Sequence, residues 1–160
     1  MNDLMMHMKQ SLETPARDSF DTDGARRIGS TTASRQGGGL HAELTHAIIG
    51  AAIEVHRSIG PGQLESLYQR ALERELELRA IPHRAQAPIA MDYKGVQIGD
   101  FVADFIVDDK VVVELKAVHA FEPVHIAQVL SYLRATRLQL GLLINFNVPV
   151  LKQGVRRLIR

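Results

Sequence analysis

Apolar side chains recur every three or four residues in three stretches of the chain, which is the spacing of helices that bury one face. These stretches are His41–Ser58, Gln63–Ala80 and Pro123–Thr136. Between the first two, the segment Ile59–Gly62 holds two glycines and a proline, residues that end a helix. The pattern therefore predicts three helices, and a tight corner joins the first two.

Runs of β-branched and aromatic residues between these helices predict strands. Pro82–Tyr93 predicts an edge strand, because proline lacks the N–H that an inner strand must donate. Phe101–Val107 and Val111–Val118 are separated by three polar residues, a turn of hairpin length. Leu138–Phe146 is almost continuously apolar, as in a strand buried on both faces. Val148–Arg160 is expected to add an edge strand or a short helix.

The predicted order of elements is helix, helix, three strands, helix and strand. A helix that joins the third strand to the fourth is a crossover, which predicts that these two strands are parallel. We therefore predict an α/β (α+β) fold over residues 40–160, with a mixed β-sheet flanked by helices. Residues 1–39 contain Pro15, a polar run and three consecutive glycines, and are predicted to be a flexible tail.

Composition narrows the class of protein. A chain of 160 residues that is 46% hydrophobic suits one domain with a substantial core. It has no long apolar run and no apolar segment near its start, so we expect neither a membrane span nor a secretory signal, and a cytoplasmic location. The absence of cysteine excludes disulfides and thiolate metal sites.

The charge of the chain is nearly balanced. A net charge of +1 is too small to indicate nucleic-acid binding by itself, so any phosphate contact requires a local patch. One basic cluster lies at the C-terminus and consists of Lys152, Arg156, Arg157 and Arg160. Clusters of this kind are more often a solvated chain end than a binding site.

Charged residues interrupt the apolar pattern of the predicted hairpin Asp100–Val118. Glu114 and Lys116 are two apart and share a strand face, and Asp104 breaks the preceding strand in the same way. Charges in apolar strands cost free energy unless they are paired or used. Two carboxylates there could bind a hard cation such as Mg²⁺, and the ammonium could orient a water for attack on a phosphodiester. From spacing alone, ion pairing on a solvated sheet face explains these residues equally well.

The acids on the second and third predicted strands resemble a known pattern. They are similar to the restriction-endonuclease-like αβββαβ core of the PD-(D/E)XK nuclease superfamily, with Asp104 as the motif aspartate. In that resemblance Glu114-Leu115-Lys116 is the E-x-K. Ala103 precedes the aspartate where the superfamily name has proline, a departure that the superfamily tolerates.

A closer resemblance is to the small bacterial GxxExxY protein family. Its signature is matched by Gly62–Tyr68, which reads GQLESLY. The flanking segments VHRSIGPGQLES, AQVLSYL and GLLINF are also similar to that family. The resemblance runs from about Leu40 to the C-terminus and leaves only the predicted tail unmatched.

The resemblance implies a metal-dependent nuclease that hydrolyses phosphodiester bonds in DNA or RNA. It implies that Mg²⁺ or Mn²⁺ is held by Asp104, Glu114 and the Leu115 carbonyl. Glu65, from the first helix of the core, would bind the same ion through water or help to hold a second one. Lys116 would position the attacking water. For Glu65 an ordinary explanation also exists, because an anion in the first turn of a helix is favoured by the helix dipole.

The third predicted helix carries further candidates. Gln128 and Tyr132 are four residues apart, share a helix face and resemble the Q-x-x-x-Y element of RecB-like nucleases. Gln128 would bind a phosphate or orient Lys116, and Tyr132 would contact substrate. His125 and His56 are weaker candidates for substrate contact. The ordinary alternatives are a plain helix face for the first pair and structural roles for the histidines.

We expect the partner to be nucleic acid, with DNA favoured over RNA, and we expect no interaction with a membrane. The resemblance also implies a homodimer or a subunit of a larger complex. A different class of function remains open, namely a catalytically silent nucleic-acid-binding or assembly module that keeps the nuclease fold. Metal binding discriminates between the two, because the silent module needs no cation.

Overall fold

The computed structural model describes residues 39–160, and the structural statements below concern that part of the chain. Its elements, in chain order, are α1 (Ala42–Ile59), α2 (Glu65–Leu78), β1 (His83–Tyr93), β2 (Val96–Val107), β3 (Val111–Lys116), α3 (Pro123–Thr136), β4 (Leu140–Asn145), a 3₁₀ turn (Leu151–Gly154) and β5 (Val155–Ile159). Within this range no helix is both long and apolar enough to cross a membrane. The predicted tail, residues 1–39, lies outside the described residues except for Gly39.

The five strands form one sheet in the order β1-β2-β3-β4-β5. β3 and β4 run parallel and are joined by α3, whereas the other neighbouring strands are antiparallel. The predicted mixed sheet with flanking helices is therefore confirmed, including the parallel crossover and the edge position of β1. The C-terminal segment forms both a short 3₁₀ turn and an edge strand.

Apolar side chains cover both faces of the sheet. Residues of α1 and α2, such as Ile48 and Leu72, pack with one set of strand side chains that includes Leu115. Residues of α3, such as Leu133, pack on the opposite face with strand residues that include Leu143. β3 is thus buried on both faces, which leaves its end as the place where charged side chains meet the two helical layers.

Several predicted boundaries were wrong at element ends. α3 has the predicted limits, but α2 begins at Glu65 instead of Gln63, because Leu64 is still extended. β2 begins at Val96 instead of Phe101, since pairing with β1 rather than burial stabilises its first residues. β3 ends at Lys116 instead of Val118.

The β1–β2 hairpin changes face at one point. Ala85 packs with the α1 and α2 layer, whereas Ala87 packs with the α3 layer, although residues two apart on a strand normally share a face. Between them, Gln86 has a left-handed φ of 46° and lies opposite Asp104 in the register. The pairing of β2 with β3 also stops next to this point, at Phe105–Val113. The distortion places Asp104 at the end of the β2–β3 ladder.

Candidate active site

Asp104 joins β3 through its side chain where backbone pairing has stopped. The Leu115 N–H donates to Asp104 Oδ2 across 2.7 Å, and Gln86 Nε2 donates to Oδ1 across 3.3 Å. If the ladder continued, Leu115 would pair with Ala103 instead. Burial raises the pKa of the Asp104 carboxyl, and the Leu115 hydrogen bond and the Lys116 charge only partly offset this. The carboxylate is therefore fixed beside β3.

Glu114 lies on the inner strand and is 3% exposed. Burial raises its pKa, and the nearby Asp104 charge raises it further, to about 7. Lys116 Nζ donates to Glu114 Oε1 across 2.6 Å. The other oxygen, Oε2, is buried and has no hydrogen-bond partner among the described residues. A buried carboxylate oxygen in this state favours a cation or a donor supplied from outside the chain.

Lys116 lies between two acids. Its Nζ is 2.6 Å from Glu114 Oε1 and 4.0 Å from Glu65 Oε1, which come from different elements. Burial alone would lower the pKa of Lys116, but the hydrogen bond and charge of Glu114, with the charges of Glu65 and Asp104, raise it above its ordinary value. The side chain is therefore an ammonium ion held at a defined position.

Glu65 reaches the end of β3 from the first turn of α2. Its Oε2 accepts a 3.3 Å hydrogen bond from the Ala117 N–H, across 52 residues of sequence. Leu64 precedes it in an extended conformation and marks the helix start. The carboxylate thus meets both the backbone and the lysine at the point where β3 ends.

The corner before α2 is fixed by Tyr68. Its hydroxyl donates to the Gly60 carbonyl across 2.7 Å and accepts from the Gln63 N–H across 3.1 Å. Its ring is buried and stacks on Phe146 with 4.4 Å between centroids. Gly62 has a φ of 87°, which favours glycine. The tyrosine and the glycine of the Gly62–Tyr68 segment therefore hold the turn from which Glu65 projects.

Gln128 and Tyr132 form a hydrogen-bonded pair on α3. Gln128 Nε2 donates to the Tyr132 hydroxyl across 2.7 Å, and that hydroxyl donates to the Val102 carbonyl across 3.2 Å. Burial and then the Glu114 charge raise the pKa of Tyr132. The phenol is therefore protonated at neutral pH and close enough to Glu114 to respond to its charge. The pair joins α3 to β2 beside the carboxylates.

The two candidate histidines have backbone partners. The Glu122 N–H donates to His125 Nδ1 across 3.0 Å, and the Glu122 side chain accepts from the His125 N–H, so that His125 caps α3. His56 is buried, with Nε2 2.8 Å from the Val148 carbonyl oxygen and its ring 6.4 Å from that of Phe146. These hydrogen bonds explain both residues without substrate, and their predicted contacts with substrate stay predictions.

Asn145 supports the site and was not identified from the sequence. It is 2% exposed, accepts from the N–H groups of Val118 and Asn147 through Oδ1, and donates to the Val118 carbonyl across 2.7 Å. These bonds hold the backbone that follows Lys116. A lone amide at the end of an apolar run was the available signal, because a buried polar group requires partners.

The donors at this site fit a hard divalent cation. Asp104 and Glu114 supply oxygens, and the unpartnered Glu114 Oε2 is the atom that such an ion would satisfy. Residues 39–160 contain no group of three His, Asp or Glu side chains arranged to hold a metal. In that range Glu65 contacts Ala117 and Lys116, and its predicted part in the metal site stays a prediction. Further ligands would have to be water or backbone carbonyls.

A model of the PD-(D/E)XK nuclease superfamily matches residues 42–158, which include every charged residue of the site. No curated protein and no solved structure matches the chain. The family match covers well over half of the chain.

Proposed function

Because this chain belongs to the PD-(D/E)XK nuclease superfamily, we propose that it is a nuclease that hydrolyses phosphodiester bonds with a divalent cation. Its substrate is nucleic acid, with DNA preferred to RNA. The observation that carries the proposal is the cluster at the end of β3. There Lys116 lies within ion-pair distance of two glutamates, and Asp104 is bonded to the backbone between Glu114 and Lys116.

The oxygens of Asp104, Glu114 and the Leu115 carbonyl would hold Mg²⁺ or Mn²⁺, and Glu65 would act through water. When bound, such an ion lowers the pKa of a water molecule and offsets the charge that builds on the phosphate. The hydrogen bond from the Leu115 N–H keeps Asp104 in position for this role. The Asp104 charge also helps to raise the pKa of Glu114, a repulsion that a cation relieves.

Lys116 would position the attacking water and the phosphate. Its raised pKa keeps it an ammonium ion, which donates hydrogen bonds but does not accept a proton at neutral pH. Gln128 is half-buried and tied to Tyr132, so its amide is oriented toward the same side of α3. We assign Gln128 to a phosphate oxygen or to Lys116, and Tyr132 to holding Gln128 and contacting substrate. We also assign contacts with substrate to His125 and His56.

We place the chain in the bacterial GxxExxY family within this superfamily. The structure gives each signature residue a task that supports the assignment. Gly62 turns the chain, Tyr68 bonds to the corner, and Glu65 meets Lys116 at 4.0 Å. The signature residues thus bring Glu65, an acid in the first turn of α2, to the end of β3.

A cleavage panel tests the proposed activity. End-labelled single- and double-stranded DNA and RNA are incubated with the protein in Mg²⁺, Mn²⁺ or EDTA. We expect cleavage of DNA that requires the cation and is lost in Lys116→Ala. Lys110→Ala is the matched control, since Lys110 is an exposed lysine in the turn of the same hairpin. Cleavage in EDTA, or cleavage unchanged in Lys116→Ala, would contradict the proposed activity.

The silent module is the second candidate function. The observation that favours it is the Lys116–Glu114 ion pair, which occupies one carboxylate oxygen with the chain's own ammonium. Calorimetric titration with Mn²⁺ separates the two functions. Tight binding that disappears in Asp104→Asn but persists in Asp109→Asn, an exposed turn residue, supports the nuclease. No heat of binding in the wild type supports the silent module.

We further propose that the protein works as a homodimer or as a subunit of a larger complex. A single module usually buries only about 600–1,000 Å² of protein surface on DNA. A net charge of +1 adds little attraction to the phosphates, so a second subunit would enlarge the binding surface. Light scattering of the purified protein measures the mass directly. A monomer at all concentrations would contradict the homodimer.

A further inference from the structure

Arg156 lies in the same row of the sheet as the catalytic candidate Glu114. Glu114 pairs with Leu143 across β3 and β4, and Leu143 pairs with Arg156 across β4 and β5. Residues directly opposite each other point to the same face, so Arg156 shares with Glu114 the face covered by α3. Two strand spacings separate them by about 10 Å. The basic C-terminal cluster therefore has one member beside the site.

The guanidinium of Arg156 is held in place although the residue is exposed. Its Nη1 donates to the carbonyls of Gln153 and Val155, at 3.3 and 3.1 Å. Its Cζ lies over the ring of Phe121, 5.8 Å from the centroid. Within residues 39–160, Nε and Nη2 have no hydrogen-bond partner. The arginine thus presents a fixed planar cation with open donors.

Phe121 and His125 extend this surface along α3 toward Tyr132. Their ring centroids are 6.4 Å apart and the rings meet edge-on, at 72°. Because His125 Nδ1 accepts a backbone hydrogen bond, the neutral ring carries its proton on Nε2, which is left as a donor. Seven residues of helix separate His125 from Tyr132, a rise of about 10 Å. The surface therefore continues along α3 from His125 toward the site.

From these contacts we infer that Phe121, His125 and Arg156 form a platform for one unpaired nucleotide next to the cleaved bond. The base stacks on the supported guanidinium or on the Phe121 ring, and the open donors of Arg156 and His125 bind the adjacent phosphate. This inference rests on the proposed nuclease function and specifies its substrate as single-stranded nucleic acid.

The chemistry of the platform favours a single strand over a duplex. Aromatic and guanidinium planes bind bases that are already unstacked, and the stacking tolerates any base sequence. In a duplex the bases are stacked on one another and are not available to such a surface. A net charge of +1 also gives the chain little overall attraction for the many phosphates of a duplex.

Fluorescence anisotropy in EDTA tests the platform without cleavage. The probes are a labelled oligothymidylate and a labelled duplex. We expect the single strand to bind more tightly, and Phe121→Ala to weaken its binding about tenfold. Arg156→Ala should also lower the slope of log K against log salt by about 0.7, whereas Arg156→Lys should restore the slope but not the affinity. Phe121→Trp should keep the affinity.

Tyr93→Ala is the matched control, because Lys94 Nζ lies 5.3 Å from the Tyr93 ring centroid at the far end of the hairpin. The inference is overturned if Phe121→Ala and Arg156→Ala bind like the wild type, if Tyr93→Ala weakens binding equally, or if the duplex binds as well as the single strand. Binding without cleavage in Mg²⁺ or Mn²⁺ would reject the nuclease and leave the platform standing. Metal-dependent cleavage by the wild type, together with wild-type binding by Phe121→Ala and Arg156→Ala, would reject the platform and leave the nuclease standing.

Discussion

The Leu115 N–H and Asp104 Oδ2 are 2.7 Å apart, and this bond replaces the backbone pair that would continue the β2–β3 ladder. One carboxylate therefore has a structural and a chemical task. It completes the hydrogen bonding of a buried strand, and it brings negative charge beside Glu114. The two tasks are separable by substitution, because the first needs an oxygen acceptor and the second needs charge.

Substitutions at Asp104 should separate stability from activity. Asp104→Ala leaves the Leu115 N–H without its partner, and we expect a loss of about 1–3 kcal/mol in the free energy of unfolding. Asp104→Asn keeps an acceptor oxygen and should be less destabilised, yet both variants should lose metal-dependent cleavage. Denaturant unfolding and the cleavage assay measure the two effects. Equal stability of the two variants would contradict the structural task.

The metal-free protein should lose stability as pH rises toward neutral. The pKa of Glu114 is about 7 in the fold against an ordinary value of 4.5, so the native state holds the proton more tightly than the unfolded chain. Its contribution is fully present below pH 4.5 and is lost as pH rises through 7. The difference amounts to about 3 kcal/mol.

Unfolding in EDTA between about pH 5 and pH 8 measures this dependence. Glu114→Gln should flatten it, because an amide does not titrate in this range. Asp104→Asn should weaken it, since the Asp104 charge contributes to the raised pKa of Glu114. A wild-type stability that increases over the same range would show that the sign is wrong.

Tyr68→Phe should lower activity through the position of Glu65. The substitution keeps the ring that stacks on Phe146 and removes the hydroxyl that bonds to Gly60 and Gln63. We expect a loss of about 1–2 kcal/mol in stability and a reduced rate with little change in substrate affinity. Tyr93→Phe is the control, an exposed tyrosine at the hairpin tip. Unchanged cleavage by Tyr68→Phe would show that the hydrogen bonds of the corner do not position Glu65 for activity.

The packing of α3 on the sheet should respond to Gly141. A Cβ atom at Gly141 would lie 2.5 Å from Val129 Cγ1, so Gly141→Ala should cost about 1–3 kcal/mol of stability. Adding Val129→Ala should recover part of that loss, because it removes the opposing methyl groups. A Cβ atom at Gly154 would instead clash with the Asn145 carbonyl, which no side-chain truncation relieves. Denaturant unfolding of the single and double variants gives the coupling energy.

The sequence predicted the elements that carry a strong apolar period. α3 follows from the helical spacing of its apolar face, and β3 and β4 follow from their almost continuous apolar runs, since nearly all of their residues are buried. The parallel pairing of β3 and β4 follows from the helix that joins them. The start of β2 at Val96 was missed because its first residues are exposed and held by pairing with β1, which leaves no apolar pattern to detect.

The sequence also indicated which charged residues gather, but not how. That Glu114 and Lys116 share a face follows from the strand period. That Asp104 bonds to the Leu115 N–H depends on the distortion at Gln86, which no local rule predicts. The role of Asn145 depends on a contact across 27 residues, so it required coordinates.

The contact of Glu65 with the Ala117 N–H spans 52 residues, and Asn145 secures the same strand end from the C-terminal side. During synthesis Glu65 therefore leaves the ribosome long before Ala117 and Asn145, the residues that complete its surroundings. Because contacts distant in sequence form only after long loops close, the site is complete only once β4 has been added. A nascent or truncated chain that stops before Asn145 should consequently be harmless to the nucleic acids around it.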